Sequence, residues 1–210
     1  MRVRSTSREL LAVELSEVLH EGTGQPWCRV ALDGHPLTGT NELADSLAEQ
    51  LRLRGRHVVR VRLWDYVRPA SLRLERGRED PDSFRFDWFD FGALTREVLA
   101  PLRPAGSGLV LPTLWDAELD RSPRMERVRL TEGGVVVVDG PFLLGGGLET
   151  DFAVHLWMSE KVLLRRVAAE NEWQLPAFDD YQREIRPDLL ADRLVRMDRP
   201  ERPAIVDSLS

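Results

Sequence analysis

Apolar positions along the chain follow two periods. Short runs rich in β-branched residues predict strands: "RVALD" (29–33), "HVVRVRLWD" (57–65), "LVLPTLWD" (109–116), "GGVVVVDG" (133–140), "FAVHLWM" (152–158) and "AIVD" (204–207). Pro112 marks the third of these as an edge or a bend. Between them the spacing becomes helical. Leu11, Leu15, Val18 and Leu19 predict an amphipathic helix over 1–22, ended by a turn from Gly22 to Gln25. Leu43, Leu47 and Leu51, with Ala44 and Ala48, predict a second helix. Further helices are expected over 91–102, from an N-cap at Ser159 to about Glu170, and over 179–194, with a polar loop at 76–83. Strands alternating with helices imply parallel βαβ units: an α/β fold of three layers, a mainly parallel sheet with helices on both faces. Ligands of such sheets bind beyond the carboxyl ends of the strands. That directs attention to the 34–41 loop, Asp65, Asp116 and Asp139, each placed just after a predicted strand.

Composition narrows the picture. The 210 residues suit one domain, taken as 1–210. A net charge of −6 argues against a nucleic-acid partner and against an anionic membrane surface. Cys28 is the only cysteine, so there is neither an intrachain disulfide nor a cysteine zinc site. The N-terminal segment lacks the apolar core of a signal peptide, and no run approaches a transmembrane length, so the expected location is cytoplasmic. Lys161 is the only lysine among 29 basic residues. With such a bias a lysine would drift to arginine, not to threonine.

Gly34 and Gly39 have the G-x-x-x-x-G spacing between a strand and a helix, over the unit 29–51. Glycines there let backbone N–H groups turn inward, and a helix N-terminus adds positive charge, which suits an anion. An ordinary strand-to-helix turn gives the same spacing. His35, inside the loop, could donate to an anion or be an exposed turn residue. His20, His57 and His155 show no metal or triad spacing.

Four segments carry a resemblance that covers nearly the whole chain. "VALDGHPLTGTNELADSLAEQLRLRG" resembles "VAVDGxxGAGKTTLADELAEALRARG"; "LWDYVRPA" resembles "LDDFHRPR". "SFRFDWFDFGAL…VLAPL" is similar to "GFWLDSYDYAAL…LLDPL", and "VVVDGPFL" to "VVVDGxFL". These are segments of the uridine kinase and phosphoribulokinase family of P-loop kinases, especially its short actinobacterial-type uridine kinase-like members. The resemblance implies a P-loop NTPase fold, ATP and Mg²⁺ as cofactors, a small hydroxyl acceptor and an oligomer in many members. It implies that Gly34, His35, Gly39, Thr40 and Asn41 face the nucleotide. Arg165 and Arg166 match the helix before the arginine-rich lid, Asp139 matches the carboxylate that acts on magnesium, and Asp65 is the candidate base. Trp64, Arg68, Asp87, Asp90, Trp115 and Asp116 fall at acceptor positions.

The departures fall at the chemistry. Thr40 and Asn41 replace the lysine that reaches the terminal phosphates and the Ser or Thr that holds magnesium. Trp64 replaces the first aspartate, the base. If 57–65 is a strand throughout, Asp65 points to the opposite face. The lid-like segment 171–186 is short and acid-rich. Losing one electrostatic donor costs roughly 10²–10³ in rate and losing a base roughly 10²–10⁴. The expectation is therefore a kinase-like protein with phosphoryl transfer lost or severely weakened. It would be a ligand-binding pseudokinase or a repurposed enzyme acting on a small molecule in an aromatic acceptor cleft. An active divergent kinase and a structural, partner-binding subunit with a filled cleft remain the alternatives.

Overall fold

The structure, a computed structural model, describes residues 2–20 and 25–207. Nine strands follow in chain order: β1 (Arg2–Ser5), β2 (Cys28–Gly34), β3 (Val58–Arg62), β4 (Leu109–Val110), β5 (Val128–Arg129), β6 (Val135–Gly140), β7 (Phe152–Trp157), β8 (Arg193–Arg196) and β9 (Ala204–Asp207). Seven of them form one sheet in the order β1-β9-β8-β7-β2-β6-β3. The five from β8 to β3 run parallel, and β9 and β1 add an antiparallel margin. The helices are α1 (Arg8–His20), α2 (Thr40–Leu53), α3 (Ala70–Arg73), α4 (Pro81–Phe86), α5 (Phe91–Leu94, continued by π and 3₁₀ turns to Leu102), α6 (Glu160–Arg166), α7 (Leu175–Ile185) and α8 (Pro187–Leu190).

Side-chain alternation sorts the strands between two cores. Val30, Leu32, Val135 and Val137 face α1, α2 and α6. Ala31, Val136, Val138, Val59 and Val61 face α5 and α7. Burial on both sides is why β6 reads as four unbroken valines instead of an alternating pattern. The expected mainly parallel α/β sheet with helices on both faces is the fold observed. Among the described residues no helix is long and apolar enough to cross a membrane.

Local expectations shift at several points. The N-terminal helix begins at Arg8, because Arg2–Ser5 pair with β9 instead; its expected end and most of the 22–25 turn lie outside the described residues. The strand expected over 57–65 stops at Arg62, and Leu63–Tyr66 coil into a 3₁₀ turn. Pro81 with the Asp80 cap starts α4 inside the expected 76–83 loop. Of 109–116 only Leu109–Val110 pairs, with β5 and outside the main sheet. Ser159 does sit at the start of α6, but its hydroxyl donates to Asp198 at 2.6 Å and does not cap the helix, which ends at Arg166. The helix expected over 179–194 is α7 and α8, broken at Arg186 in a left-handed conformation before Pro187, with β8 beyond.

The second core is dominated by rings. Phe84, fully buried, meets Trp64, Trp88, Phe89, Phe142, Trp173 and Phe178 at centroid distances of 5.2–6.2 Å. Phe84→Ala is expected to cost about 3–5 kcal/mol in urea unfolding. A loss under about 1 kcal/mol would mean that this cluster does not hold α4 and α7 together.

Candidate functional site

The loop after β2 has the expected course but has turned its donors on itself. His35 opens a 3₁₀ turn, Pro36–Thr38, and Gly39 closes it at φ 78°. Leu37 N–H donates to His35 Nδ1 (3.0 Å), Thr38 N–H to the His35 carbonyl (2.8 Å) and Gly39 N–H to the Pro36 carbonyl (3.0 Å). Pro36 has no N–H. Three of the loop's amides, those of Leu37, Thr38 and Gly39, are thus consumed within the turn. Thr38 Oγ1 also donates to the His35 carbonyl at 2.7 Å. The turn is tight: a Cβ on Gly34 would stand 2.8 Å from both the Leu156 carbonyl and Thr38 Oγ1. Thr40 is buried at the start of α2. The cation beside Gly39 is Arg8 of α1, its guanidinium 3.0 Å from where a Cβ on that glycine would lie. Arg165 and Arg166 are exposed on the last turn of α6, and neither makes a hydrogen bond or ion pair with the loop.

At the next position the sequence reading missed a residue. Arg60, in the middle of β3, lies on the α2 face of the sheet. Its Nη1 donates to Asp139 Oδ1 (2.8 Å) and to the Val137 carbonyl, its Nη2 to Asn41 Oδ1 (3.2 Å) and its Nε to Asp45 Oδ1 (2.9 Å). Asn41 and Asp139 are the two positions to which the resemblance assigns magnesium. Both now bind one guanidinium. Asp139 is 3% exposed, and burial holds its carboxyl above the usual range, with Arg60 opposing that shift. Among the described residues no group of three or more His, Cys, Asp or Glu could hold a metal. A hydrated Mg²⁺ at this point would face a cation already hydrogen-bonded to its ligands, so these residues do not fit the ion. The signal was an arginine in the middle of "VVRVR", between buried valines.

On the acceptor side the expected residues separate. Asp65 lies on the 3₁₀ turn, so strand alternation does not set its direction, contrary to expectation. Its Oδ2 accepts from Thr113 Oγ1 at 3.3 Å, and burial raises its pKa. Its charge is close enough to Asp139 for the two to interact. Asp90 caps α5 through the Ala93 N–H (2.8 Å). Asp116 accepts from the Glu118 and Leu119 amides in its own turn. Asp87 ends α4 beside Arg76, Arg68 pairs its N–H with the Trp88 carbonyl, and Trp115 Nε1 donates to Asp120. Trp64 packs edge-on against Trp88 and Phe89. Trp64 and Trp115 are half-buried and pack against the core, and the hollow at Trp64 and Trp88 is a 250 Å³ depression lined by neither Asp87, Asp90 nor Trp115.

The larger space lies on the other side of the loop. A cavity of about 580 Å³ opens between Gly34 and His35, the end of β7, α6 and α7. The segment 171–186, expected as a reduced lid, forms α7 and lies down on the loop. Ala177, Phe178 and Tyr181 are buried, and Phe178 stacks on His35 at 4.4 Å. Arg85 fastens α7 from α4 by an ion pair to Glu184 (2.8 Å). Under the cavity the β2–β7 register sets Asp33 beside His155, at 2.6 Å. Asp33, wholly buried, also accepts from the Leu143 N–H (2.9 Å), so the His155 proton sits on Nδ1. His155 Nε2 is then the acceptor for the Gln182 amide at 2.9 Å.

No protein-family model matches the chain, and no curated protein matches it. Solved structures do. A protein described as a possible uridine kinase from Bacillus stearothermophilus aligns with a TM-score of 0.72 at 19% identity, covering 88% of this chain and 97% of that one. A protein assigned as a fructose transport system kinase from Silicibacter sp. TM1040 gives 0.55 at 19% identity, covering 89% and 95%. The YGR205w protein gives 0.58 at 12% identity, covering 96% and 100%. At these identities the likeness establishes the fold alone: the chain shares the three-layer α/β architecture of these structures.

His35 is 7% exposed, and burial lowers its pKa to about 4. Unfolding returns it to about 6.5, so between those values the unfolded chain binds more protons. The stability it contributes is complete above pH 6.5 and is lost as pH falls toward 4, by about 3 kcal/mol. His35→Asn keeps an oxygen to accept the Leu37 N–H and has no such titration. Urea unfolding from pH 7 to 4 should therefore show a steeper decline in the native chain than in the variant. Parallel curves would show that His35 titrates normally when folded.

Proposed function

We propose that this chain uses the P-loop kinase fold without its phosphoryl transfer and acts as a non-catalytic binding protein for a small molecule. The carrying observation is the Arg60 guanidinium, hydrogen-bonded at once to Asn41, Asp45 and Asp139. An internal cation there takes over the charge balance that a bound divalent ion would provide. Three further features support the reading. Three loop amides are spent within their own turn, Thr40 brings no charge, and α7 is fastened over the loop. The aromatic packing around Phe84 moves the candidate binding space from the acceptor cleft to the cavity beside β7.

The alternative of an active, divergent kinase draws on two observations: Asp65 beside Asp139 with a raised pKa, and Arg8 against Gly39. It needs the Arg60 bridge to open, leaving Asp139 with only the longer-range charge of Arg62.

Titration calorimetry with Mg²⁺–ATP decides between them. No binding is expected at millimolar nucleotide, and no phosphate transfer to a panel of nucleosides. Saturable, magnesium-dependent ATP binding would overturn the proposal. A second measurement tests the internal cation directly. Arg60→Met leaves Asp139 buried without its partner and should cost about 3 kcal/mol. Mn²⁺ should then raise the melting temperature of the variant and leave the native chain unchanged. An equal shift in both, or in neither, removes the role given to Arg60.

A further inference from the structure

The cavity beside β7 has a polar floor, apolar walls and an acidic rim, and each limits what can enter. At the floor His35 Nδ1 accepts the Leu37 N–H, so the ring proton is on Nε2. That Nε2–H has no acceptor among the described residues and is closed off from the open cavity, so a guest meets it only as the packing over His35 gives way. Burial keeps the ring uncharged at neutral pH. A buried donor left without an acceptor is costly, and a guest that accepts from it removes that cost. Beside it Gln182 spends its amide nitrogen on His155, which Asp33 holds in one orientation. The Gln182 carbonyl oxygen therefore remains as an acceptor on the same wall. The body of the cavity is Leu156, Met158, Leu163, Phe142 and Phe178. At the mouth are Glu160, Glu172 and Asp179; Arg183 balances Asp179, while no cation pairs with either glutamate among the described residues.

We propose that this cavity is the binding site of an uncharged, largely apolar molecule whose head group both accepts and donates a hydrogen bond, such as a carboxamide. The acceptor of the head meets His35 Nε2–H and its donor meets the Gln182 oxygen. The hydrocarbon or aromatic body fills the walls. The rim carboxylates exclude anions, phosphorylated metabolites among them. This deepens the binding role proposed above, and it stands or falls on a different measurement: Mg²⁺–ATP tests the lost kinase chemistry, whereas the ranking of neutral and anionic probes tests the cavity.

The probes are 2-naphthamide, 2-naphthoate and 2-ethylnaphthalene, titrated into the full chain by ligand-observed NMR. The amide should bind with a Kd below about 1 mM. The carboxylate should bind at least about tenfold more weakly. His35→Asn and Gln182→Leu should each weaken the amide by about tenfold and leave the ethyl compound unchanged. Leu164→Trp, at an exposed position on the cavity wall, should block all three probes without unfolding the chain. Charge reversal at the rim, Glu160→Lys with Glu172→Lys, should bring the carboxylate level with the amide. The inference is overturned by absence of amide binding in the folded chain, by equal native affinity for amide and carboxylate, or by binding that Leu164→Trp does not disturb.

Discussion

A carboxylate buried at the end of a central strand must have a counter-charge, and much of this structure follows from how Asp139 obtains one. Asp139 closes the strand of four valines, the most buried stretch of the sheet. Its neighbour β3 runs parallel to it, and alternation puts Arg60 on the same face, toward α2. One guanidinium then joins β3, β6 and two positions of α2. Desolvating a charge costs several kcal/mol unless it is hydrogen-bonded; Arg60 meets one Asp139 oxygen and opposes, without cancelling, the upward pull of burial on its pKa. The arrangement fixes where α2 begins, and with it the course of the loop before it. Once the charge is balanced from within, nothing in that corner calls for an added ion.

The same self-sufficiency recurs along the loop. Short 3₁₀ closure consumes three amides, the helix that follows begins with a buried threonine, and α7 presses Phe178 onto His35. Phe142 takes a left-handed conformation, uncommon for a bulky residue, and is held there by the Leu143 amide on Asp33 and by contacts with Phe178 and Tyr181. Polar and aromatic contacts thus occupy the places where a nucleotide kinase needs open donors.

The sheet was legible because its central strands are buried on both faces, which writes unbroken apolar runs such as Val135–Val138 into the sequence. The helix face of Leu43, Leu47 and Leu51 was equally plain. What escaped were elements whose reasons lie elsewhere in the chain. "RVRS" has no apolar face of its own and becomes a strand only because β9 offers an edge. The turn at Leu63–Tyr66 ends a β-branched run at a point that propensity does not mark, and it decides where Asp65 points. The acceptor aspartates looked alike in sequence, yet Asp90 and Asp116 are spent on local amides, a choice made by turn geometry. Arg60 was visible as a charge inside an apolar strand, but its meaning needed Asn41, Asp45 and Asp139 in the same view. The 171–186 segment was noticed as short and acid-rich; its apolar stripe of Ala177, Phe178 and Tyr181 says more about where it lies.

The clasp of α7 has a consequence for how such a protein would report on its surroundings. In an enzyme that closes over its substrate, the outer contour differs between empty and loaded forms, and partners can read that difference. Here the Arg85–Glu184 tie and the tilted Phe178–His35 contact are made by the chain's own side chains. The outer face of α7, with Asp180, Arg183 and Glu184, is therefore held against the body by the chain itself. A guest entering beneath it would be recorded in the rigidity of that face, and not in its outline.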